Sequence, residues 1–532
     1  HSNKMQKNLY TKQLLTTIAV YAAAMSAVAQ VTAQQVPRLV VGITIDQLRS
    51  DYLEAFAPLY GDDGFKRLLS LGQVYSNVQY PSKDVDRASA IASIVTGSAP
   101  YNHGIIGLDW MDRNSLQPLH CVDDREHKGV NTSECSSPRH LLVSTIGDEL
   151  KVATEGKAIV FSVAPNREEA VLAAGHAADW AMWIDTETGH WAGTTYYGQA
   201  PSWFRHMDGV SNLAGRIADM EWKPTNDYIG SYNYYLATSQ KSFTHKFDKQ
   251  RPFRQFKQSA LINEEITRAA SYCLSSGLGG LDNVTDFVSL CYYAGNWDGK
   301  STAETTTELQ DTYKRLDTEL GRLLTTIDKL VGLDKTLIYL TSTGYESAPE
   351  SQSLSKYKIP TGNFNINRCA ALLNMYLVAM YGTGQYVEAY YGNQIYLNHK
   401  FLEQKQLKLS EVLAHCEDFL FQFSGVRDVF TATRMTQGAW TPGISSVRNG
   451  YNPKCSGDIT LQVVPGWNLV NEDRGSSRMQ RDSFFEFPLI FLGYNLKPLR
   501  VSTPVTVDCI APTVAHHIRI RAPNGCSTPP LF

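Results

Sequence analysis

Beyond its N-terminal segment the sequence has no run near the ~18 apolar residues that a membrane span needs, so no transmembrane segment is expected in the mature chain. An excess of either charge is missing too. Lys+Arg number 49 and Asp+Glu 52, a formal net charge of -3, too weak a field to gather nucleic acid, which is set aside as a partner. The nine cysteines, scattered from Cys121 to Cys526, include no CxxC pair and no metal-ligand spacing, which excludes a zinc ribbon or a dithiol redox motif. There is no internal repeat and no low-complexity linker. The isolated GLGG run at 277–280 does not lead a strand into a helix and is read as a turn, not a phosphate cradle.

What is present is a large globular composition: 532 residues, 43% hydrophobic and 11% aromatic, enough to bury a sizeable core and too apolar for a disordered chain. Lys7 and Lys12 precede an apolar run from Leu14 to Ala24, followed by small-residue sites at Ala27-Val28-Ala29 and Val31-Thr32-Ala33. That pattern is a secretory signal peptide. With the few residues before Met5 set aside, 1–33 is expected to be removed, leaving an exported protein, periplasmic, associated with the outer envelope or secreted. No Cys follows either cleavage site, which argues against a lipid anchor. An oxidising compartment permits disulfides, and Cys121 with Cys135, in one polar loop, is the candidate bridge. Cys273, Cys291, Cys369 and Cys416 sit in apolar periodic segments and read as buried thiols.

Arg38 to Ile45 (RLVVGITI) is a β-branched run ending in Asp46, the pattern of a buried parallel strand with a carboxylate at its C-terminal end, where open α/β sheets place ligands. Further strand-like runs at 157–163, 286–293, 336–343 and 487–492 alternate with helical patterns at 88–96, 142–154 and 305–331. The expectation is an α/β fold over 34–532, a doubly wound, mostly parallel sheet flanked by helices. Two inserted caps interrupt it. One, about 176–284, concentrates Trp180, Trp183, Trp191, Trp203 and Trp222 with many tyrosines; the other, about 350–480, contains strand patterns at 386–391, 394–398 and 459–464.

Several segments in order resemble the phosphate-insensitive periplasmic branch of the alkaline phosphatase superfamily: VVGITIDQLRSDYL (40–53), GFKRLL (64–69), ASIVTGSAPYNHGIIGLDW (92–110), AAGH (173–176), DTYKRLD (311–317), SGDI (456–459), PLIFLG (488–493) and DCIAPTV (508–514). The resemblance implies that family's fold and, in active members, two zinc ions at the sheet edge that activate a Thr or Ser nucleophile and stabilise the leaving oxygen. Position by position it also implies losses. Asp46 matches a family metal ligand, but the nucleophile's place is Arg87, and the Asn of GNDW is Leu108 in GLDW. Asn166 and Glu168 stand where Lys and Arg clamp the phosphoryl oxygens, on a segment read as extended with Arg167 turned away. Asn296 and Lys300 replace an Asp-x3-His ligand pair, Thr343-Gly344 an Asp-His pair, and Glu486 a final His.

From these replacements the sequence predicts a catalytically inactive member without zinc or any other cofactor, acting as a binding or scaffold component of the cell envelope. Its partner would be an envelope or extracellular protein, or a small ligand in the cap. Two alternatives stand beside it: an active phosphomonoesterase or phosphodiesterase with an altered site, and a glycan- or peptide-binding module built on the aromatic cap. A lone buried carboxylate is costly without a compensating cation. Ion pairs Asp46–Arg87 and Lys300–Glu486 are therefore expected where the metals would lie. His103 and His176 read as structural, His516 and His517 as surface residues, and Ser82, Ser89 and Ser93 as hydroxyls lacking a base.

Overall fold

The structure, a computed structural model, describes residues 36–229, 242–247, 250–277, 279–345, 360–438, 441–480 and 485–532. The signal-peptide segment lies outside the described residues, and so do Tyr232, Tyr234 and Tyr235 of the aromatic stretch. Ten strands form one sheet: β1 (Leu39–Asp46), β2 (Gln73–Tyr75), β3 (Gly129–Val130), β4 (Val160–Ala164), β5 (Trp180–Ile184), β6 (Trp191–Thr194), β7 (Asp286–Tyr293), β8 (Thr336–Ser342), β9 (Leu489–Gly493) and β10 (Leu499–Val501). Their spatial order is β10-β2-β9-β8-β1-β7-β4-β5-β6-β3. The middle of the sheet, from β8 to β5, is parallel. Toward the edges it turns antiparallel, β9 against β8 and β2, and β6 against β5 and β3.

Helices α1 (Arg87–Thr96), α2 (Ile146–Ala153) and α3 (Arg167–Ala174) cover one face with the C-terminal helix Ile510–His517; α4 (Leu261–Ser275) and α5 (Thr306–Leu330) cover the other. Residues of β1 alternate between these layers. Leu39, Val41, Ile43 and Ile45 pack with α4 and α5, and Val40 with the opposite layer. Every residue of the strand is buried, which is why its sequence reads as a continuous apolar run. Gly42 is required by packing: a Cβ there would lie 2.2 Å from Tyr339 Oη of the neighbouring strand.

The segment read as a first cap is largely part of the main domain. Its strands β5 and β6 extend the central sheet, and α4 packs into the main core. Trp180, Trp183, Trp191 and Trp222 are at most 2% exposed, so these aromatics serve as core and offer no stacking platform. The physical reason is that a strand added to a sheet edge pairs its main chain and buries its large side chains together. Residues 360–480 do build a lobe with its own core. Strands Val387–Tyr391, Gln394–Leu397, Ile459–Val463 and Val426–Thr431 form an antiparallel sheet backed by α6 (Ile366–Tyr381) and α7 (Leu409–Leu420). All nine cysteines are free, so the Cys121–Cys135 bridge is absent, and burial pushes the Cys121 thiol well up.

Arg113, in the turn of the hairpin Asp109–Asp112/Gln117–His120, ties this lobe to the main domain. Its Nη2 lies 3.1 Å from Asp458 Oδ1, which also holds His399 Nε2 at 2.8 Å. The hydrogen bond to Asp458 raises the His399 pKa, while Arg113 and Lys400 act on the same group of charges with Glu388 opposing them. A raised histidine contributes stability below its unfolded value that is lost as pH rises through its folded one. The thermal unfolding midpoint should therefore fall as pH rises above about 6.5, the unfolded histidine value, and His399→Asn should flatten that slope. An unchanged slope in the variant would exclude the tie as its source. Gly42→Ala should destabilise by about 1–3 kcal/mol through overpacking, read from urea midpoints.

Candidate active site

Asp46 closes β1 at the C-terminal edge of the sheet with 2% exposure. Thr343, just beyond β8, donates Oγ1–H to Asp46 Oδ1 at 2.9 Å and accepts the Gln47 backbone N–H at 2.9 Å. Gln47 Nε2 donates to Asp46 Oδ2 at 3.3 Å. Gln47 itself adopts a left-handed φ of 63°, a sparsely populated conformation for a non-glycine residue that recurs at functional sites. Burial raises the Asp46 pKa, opposed by Arg87 and by the Thr343 hydrogen bond.

Arg87 is the first residue of α1. Asp86 caps that helix by accepting the Ser89 N–H at 3.0 Å, and its other oxygen accepts the Leu108 N–H at 2.5 Å. A cation at a helix N-terminus opposes the macrodipole. Here carboxylates outweigh that cost. Arg87 Nε donates to Glu168 Oε1 at 2.8 Å, Nη1 lies 3.6 Å from Asp46 Oδ2, and Nε lies 3.9 Å from Glu169 Oε1. Glu168 and Glu169 occupy the first turn of α3, where acidic residues are favoured. Burial pushes the Glu168 carboxyl up, but Arg87 and His120 overcome it and hold the pKa at about 2. Glu169 is raised to about 8 by burial and by the Asp46 and Glu168 charges, so it is protonated at neutral pH.

Asn166 is extended, but from Arg167 onward the segment is helical. Asn166 caps α3, and Glu169 Oε2 accepts both its backbone N–H at 3.1 Å and its Nδ2–H at 2.8 Å. Arg167 is consequently not simply turned away from the site across a strand; it pairs with Asp123 at 2.9 Å and Glu134 at 3.4 Å. The signal for this was present as Asn-x-x-Glu, a capping-box spacing at 166–169. Glu169 and His120 lie outside the matching segments, and Gln47, although inside 40–53, is not one of the ligand or substrate-contact positions that the resemblance implies.

Other expected positions divide. Leu108 lies at the start of α1 through its N–H, and Gly344, with φ 68°, follows Thr343 beside Asp46. Asn296 is buried after β7, donating Nδ2–H to Thr302 Oγ1 at 3.0 Å. Lys300 and Glu486 are exposed, and no ion pair joins them among the described residues. Water solvates both charges, so neither needs the other. Ser93 does have a histidine, with His103 Nε2 3.0 Å from its Oγ. His103 Nδ1 accepts the Ile105 N–H, so Nε2 carries the ring proton and donates; the pair is fully buried and structural.

The start of α1 and the segment Ile106–Trp110 face the lobe across a cleft of about 560 Å³. Asp84, Asp86 and Asp109 line its main-domain wall; Arg474, Arg478 and Tyr391 line its lobe wall. Burial, with Asp86 and Glu168, raises the Asp109 pKa to about 6. A second groove of about 670 Å³ runs along α4 and α5, away from Asp46, and its basic groups Lys314 and Arg322 are paired with Asp317 and Glu319.

The sequence matches the model of the type I phosphodiesterase / nucleotide pyrophosphatase family over residues 40–484. The chain belongs to this family. It is 29% identical over 515 residues to alkaline phosphatase PafA of Elizabethkingia meningoseptica, covering 93% of this chain and 94% of that protein. It is 28% identical over 513 residues to alkaline phosphatase PhoV of Synechococcus elongatus, with 92% and 91% covered. The crystal structure of PafA superposes with a TM-score of 0.81 at 27% identity, covering 94% of this chain and 99% of that one. Membership of the alkaline phosphatase superfamily follows.

These matches overturn the expectation of an inactive envelope scaffold. PafA and PhoV, which align with the chain nearly end to end, are named alkaline phosphatases, so the hydrolase reading, the alternative in the sequence, is the better supported one. Counting changed motif positions registers losses and cannot register what neighbouring side chains bring to the same edge. The expectation of a zinc-free protein falls with it, since the resemblance implies zinc in active phosphatases. Among the described residues, however, no three His, Cys, Asp or Glu side chains converge as a metal-binding group, and Asp46 has a guanidinium and hydroxyls for neighbours. That donor set does not fit the dinuclear centre.

Arg87→Met should destabilise by about 3–5 kcal/mol at neutral pH, because it strands a buried carboxylate. Glu168 contributes stability above its unfolded pKa that is lost as pH falls through its folded value, so the deficit should narrow below about pH 4.5. Chemical denaturation of R87M and of R87M/E168Q checks this: the double variant should be the more stable of the two.

Proposed function

We propose that the protein is an exported phosphoester hydrolase with an altered reaction centre, acting on phosphodiesters or phosphomonoesters in the cleft between the sheet edge and the 360–480 lobe. Export rests on the signal-peptide pattern of residues 1–33. The hydrolase reading is carried by the position of the cleft. It opens at the start of α1, at the carboxyl edge of a sheet that matches a phosphodiesterase family.

Phosphoester hydrolysis needs cations for the non-bridging oxygens and a group that can exchange a proton with the attacking water or the leaving oxygen. Arg474 and Arg478 offer guanidinium groups from the lobe wall, whose planar donors match phosphate geometry. Asp109 sits on the opposite wall with a pKa of about 6, close to neutrality, where a carboxyl serves best as acid and base. Arg87, bound to Glu168, keeps the edge rigid beneath them.

Turnover of bis(4-nitrophenyl) phosphate and 4-nitrophenyl phosphate by the purified protein, with its zinc content measured in the same sample, tests the reading. At least one ester should be hydrolysed, with a pH–rate limb near 6, and Asp109→Asn should lower kcat by about 10²–10⁴-fold and remove that limb. No turnover of either ester, with zinc supplied, would sink it.

A further inference from the structure

Within the same cleft, we infer that Tyr391 is a positioning residue: its ring face fixes the Arg474 guanidinium and leaves that group's N–H donors open to the phosphoryl oxygens of the ester. The role rests on the hydrolase reading for its ligand, while the contact behind it can be measured without turnover.

The Arg474 guanidinium carbon lies 5.1 Å from the Tyr391 ring centroid. A ring face attracts a cation through its quadrupole and occupies none of the cation's N–H groups. A carboxylate would hold a guanidinium too, but it would neutralise the charge and take up the donors. Other guanidiniums of this protein are held in that second way. Arg87 is paired with Glu168, Arg167 with Asp123, and Arg113 with Asp458, the last although it also lies over the Tyr396 ring. Arg474 is exposed on the lobe wall of the cleft, and its side chain has no ion pair or hydrogen bond among the described residues.

Both the ring and the turn that carries the guanidinium are themselves anchored. Tyr391, at the end of the strand Val387–Tyr391, packs on Met111, Ala389 and Tyr396. The single turn Glu472–Arg474 is tied to that strand and to α6: Tyr390 Oη donates to Asp473, and Asn367 Oδ1 accepts the Glu472 N–H at 2.8 Å. Neighbouring tyrosines thus hold neighbouring residues of the turn, Tyr390 on Asp473 and Tyr391 on Arg474. Burial raises the Tyr391 pKa, Asp109 adds to the rise and Arg474 opposes it, so the ring lies within electrostatic reach of both the acid and the cation of the cleft. Arg478, on the strand Ser476–Met479, is exposed and lies over no ring among the described residues. A guanidinium oriented in advance gives up less side-chain freedom when a phosphoryl group binds. Arg474 is therefore the fixed clamp, and Arg478 the looser second contact.

Titration calorimetry with phenylphosphonate, which has no ester bond to hydrolyse, tests this as a double-variant cycle. The parent should bind the probe, and Arg474→Ala should weaken it by about tenfold or more, the worth of a charged hydrogen bond. Tyr391→Leu should weaken it about three- to fivefold, the worth of an exposed cation–ring contact. Tyr391→Phe, which keeps the ring, should return the affinity to the parent's, and Y391L should cost nothing further in the R474A background. If Y391L does not fold, Y391M is read in its place. No binding by the parent, an unchanged affinity in R474A or Y391L, a Y391F loss equal to that of Y391L, or a Y391L loss that persists beside R474A would each overturn the role. The expected cycle in a protein that turns over no ester would support Tyr391 and sink only the hydrolase reading.

Discussion

One guanidinium surrounded by three buried carboxyl groups organises the carboxyl edge of the sheet. Arg87 comes from the start of α1, Asp46 from the end of β1, and Glu168 and Glu169 from the first turn of α3, so a single charge cluster joins two helices and the central strand. None of these carboxyls could stay ionised in that buried setting without the cation. The result is a division of states: Glu168 is held ionised, whereas Glu169, facing two other acids, keeps its proton. Asp86 extends the cluster by capping α1 and receiving the Leu108 N–H, which sets the main-domain wall of the cleft.

The lobe supplies the other wall, and its attachment is polar as well. Asp458 gathers Arg113 from the main domain and His399 from its own lobe, and the strand Val387–Tyr391 packs against the hairpin that carries Asp109 and Met111. Through these contacts an acidic surface and a surface bearing arginines are brought face to face.

The family's motif positions are single identities at fixed places in the chain: Arg87 stands where the nucleophile would be, Lys300 and Glu486 where metal ligands would be. The last two turn out to be solvated and unrelated to each other, and the residues that complete the edge, Glu169 and Gln47, stand beside motif positions. Gln47 acts through its left-handed backbone and its amide, features that a side-chain comparison does not weigh. The aromatic stretch, read as an inserted cap, extends the central sheet instead, and its tryptophans Trp180, Trp183 and Trp191 are buried on the added strands.

By itself the sequence determined the elements and their class. A strand buried on both faces must be apolar throughout, an amphipathic helix must repeat near every fourth residue, and both signatures survive in any context, so β1, β7, β8, α1 and α5 were readable within a few residues. The Asn166-x-x-Glu169 cap was equally local. Only the tertiary structure decided which charges meet. Arg87 and Glu168 are separated by 81 positions, and Asp109 and Arg474, far apart in sequence, line one cleft. Ionisation and hydrogen-bond satisfaction depend on neighbours within a few ångströms in space, and such distances are set by packing, not by spacing along the chain.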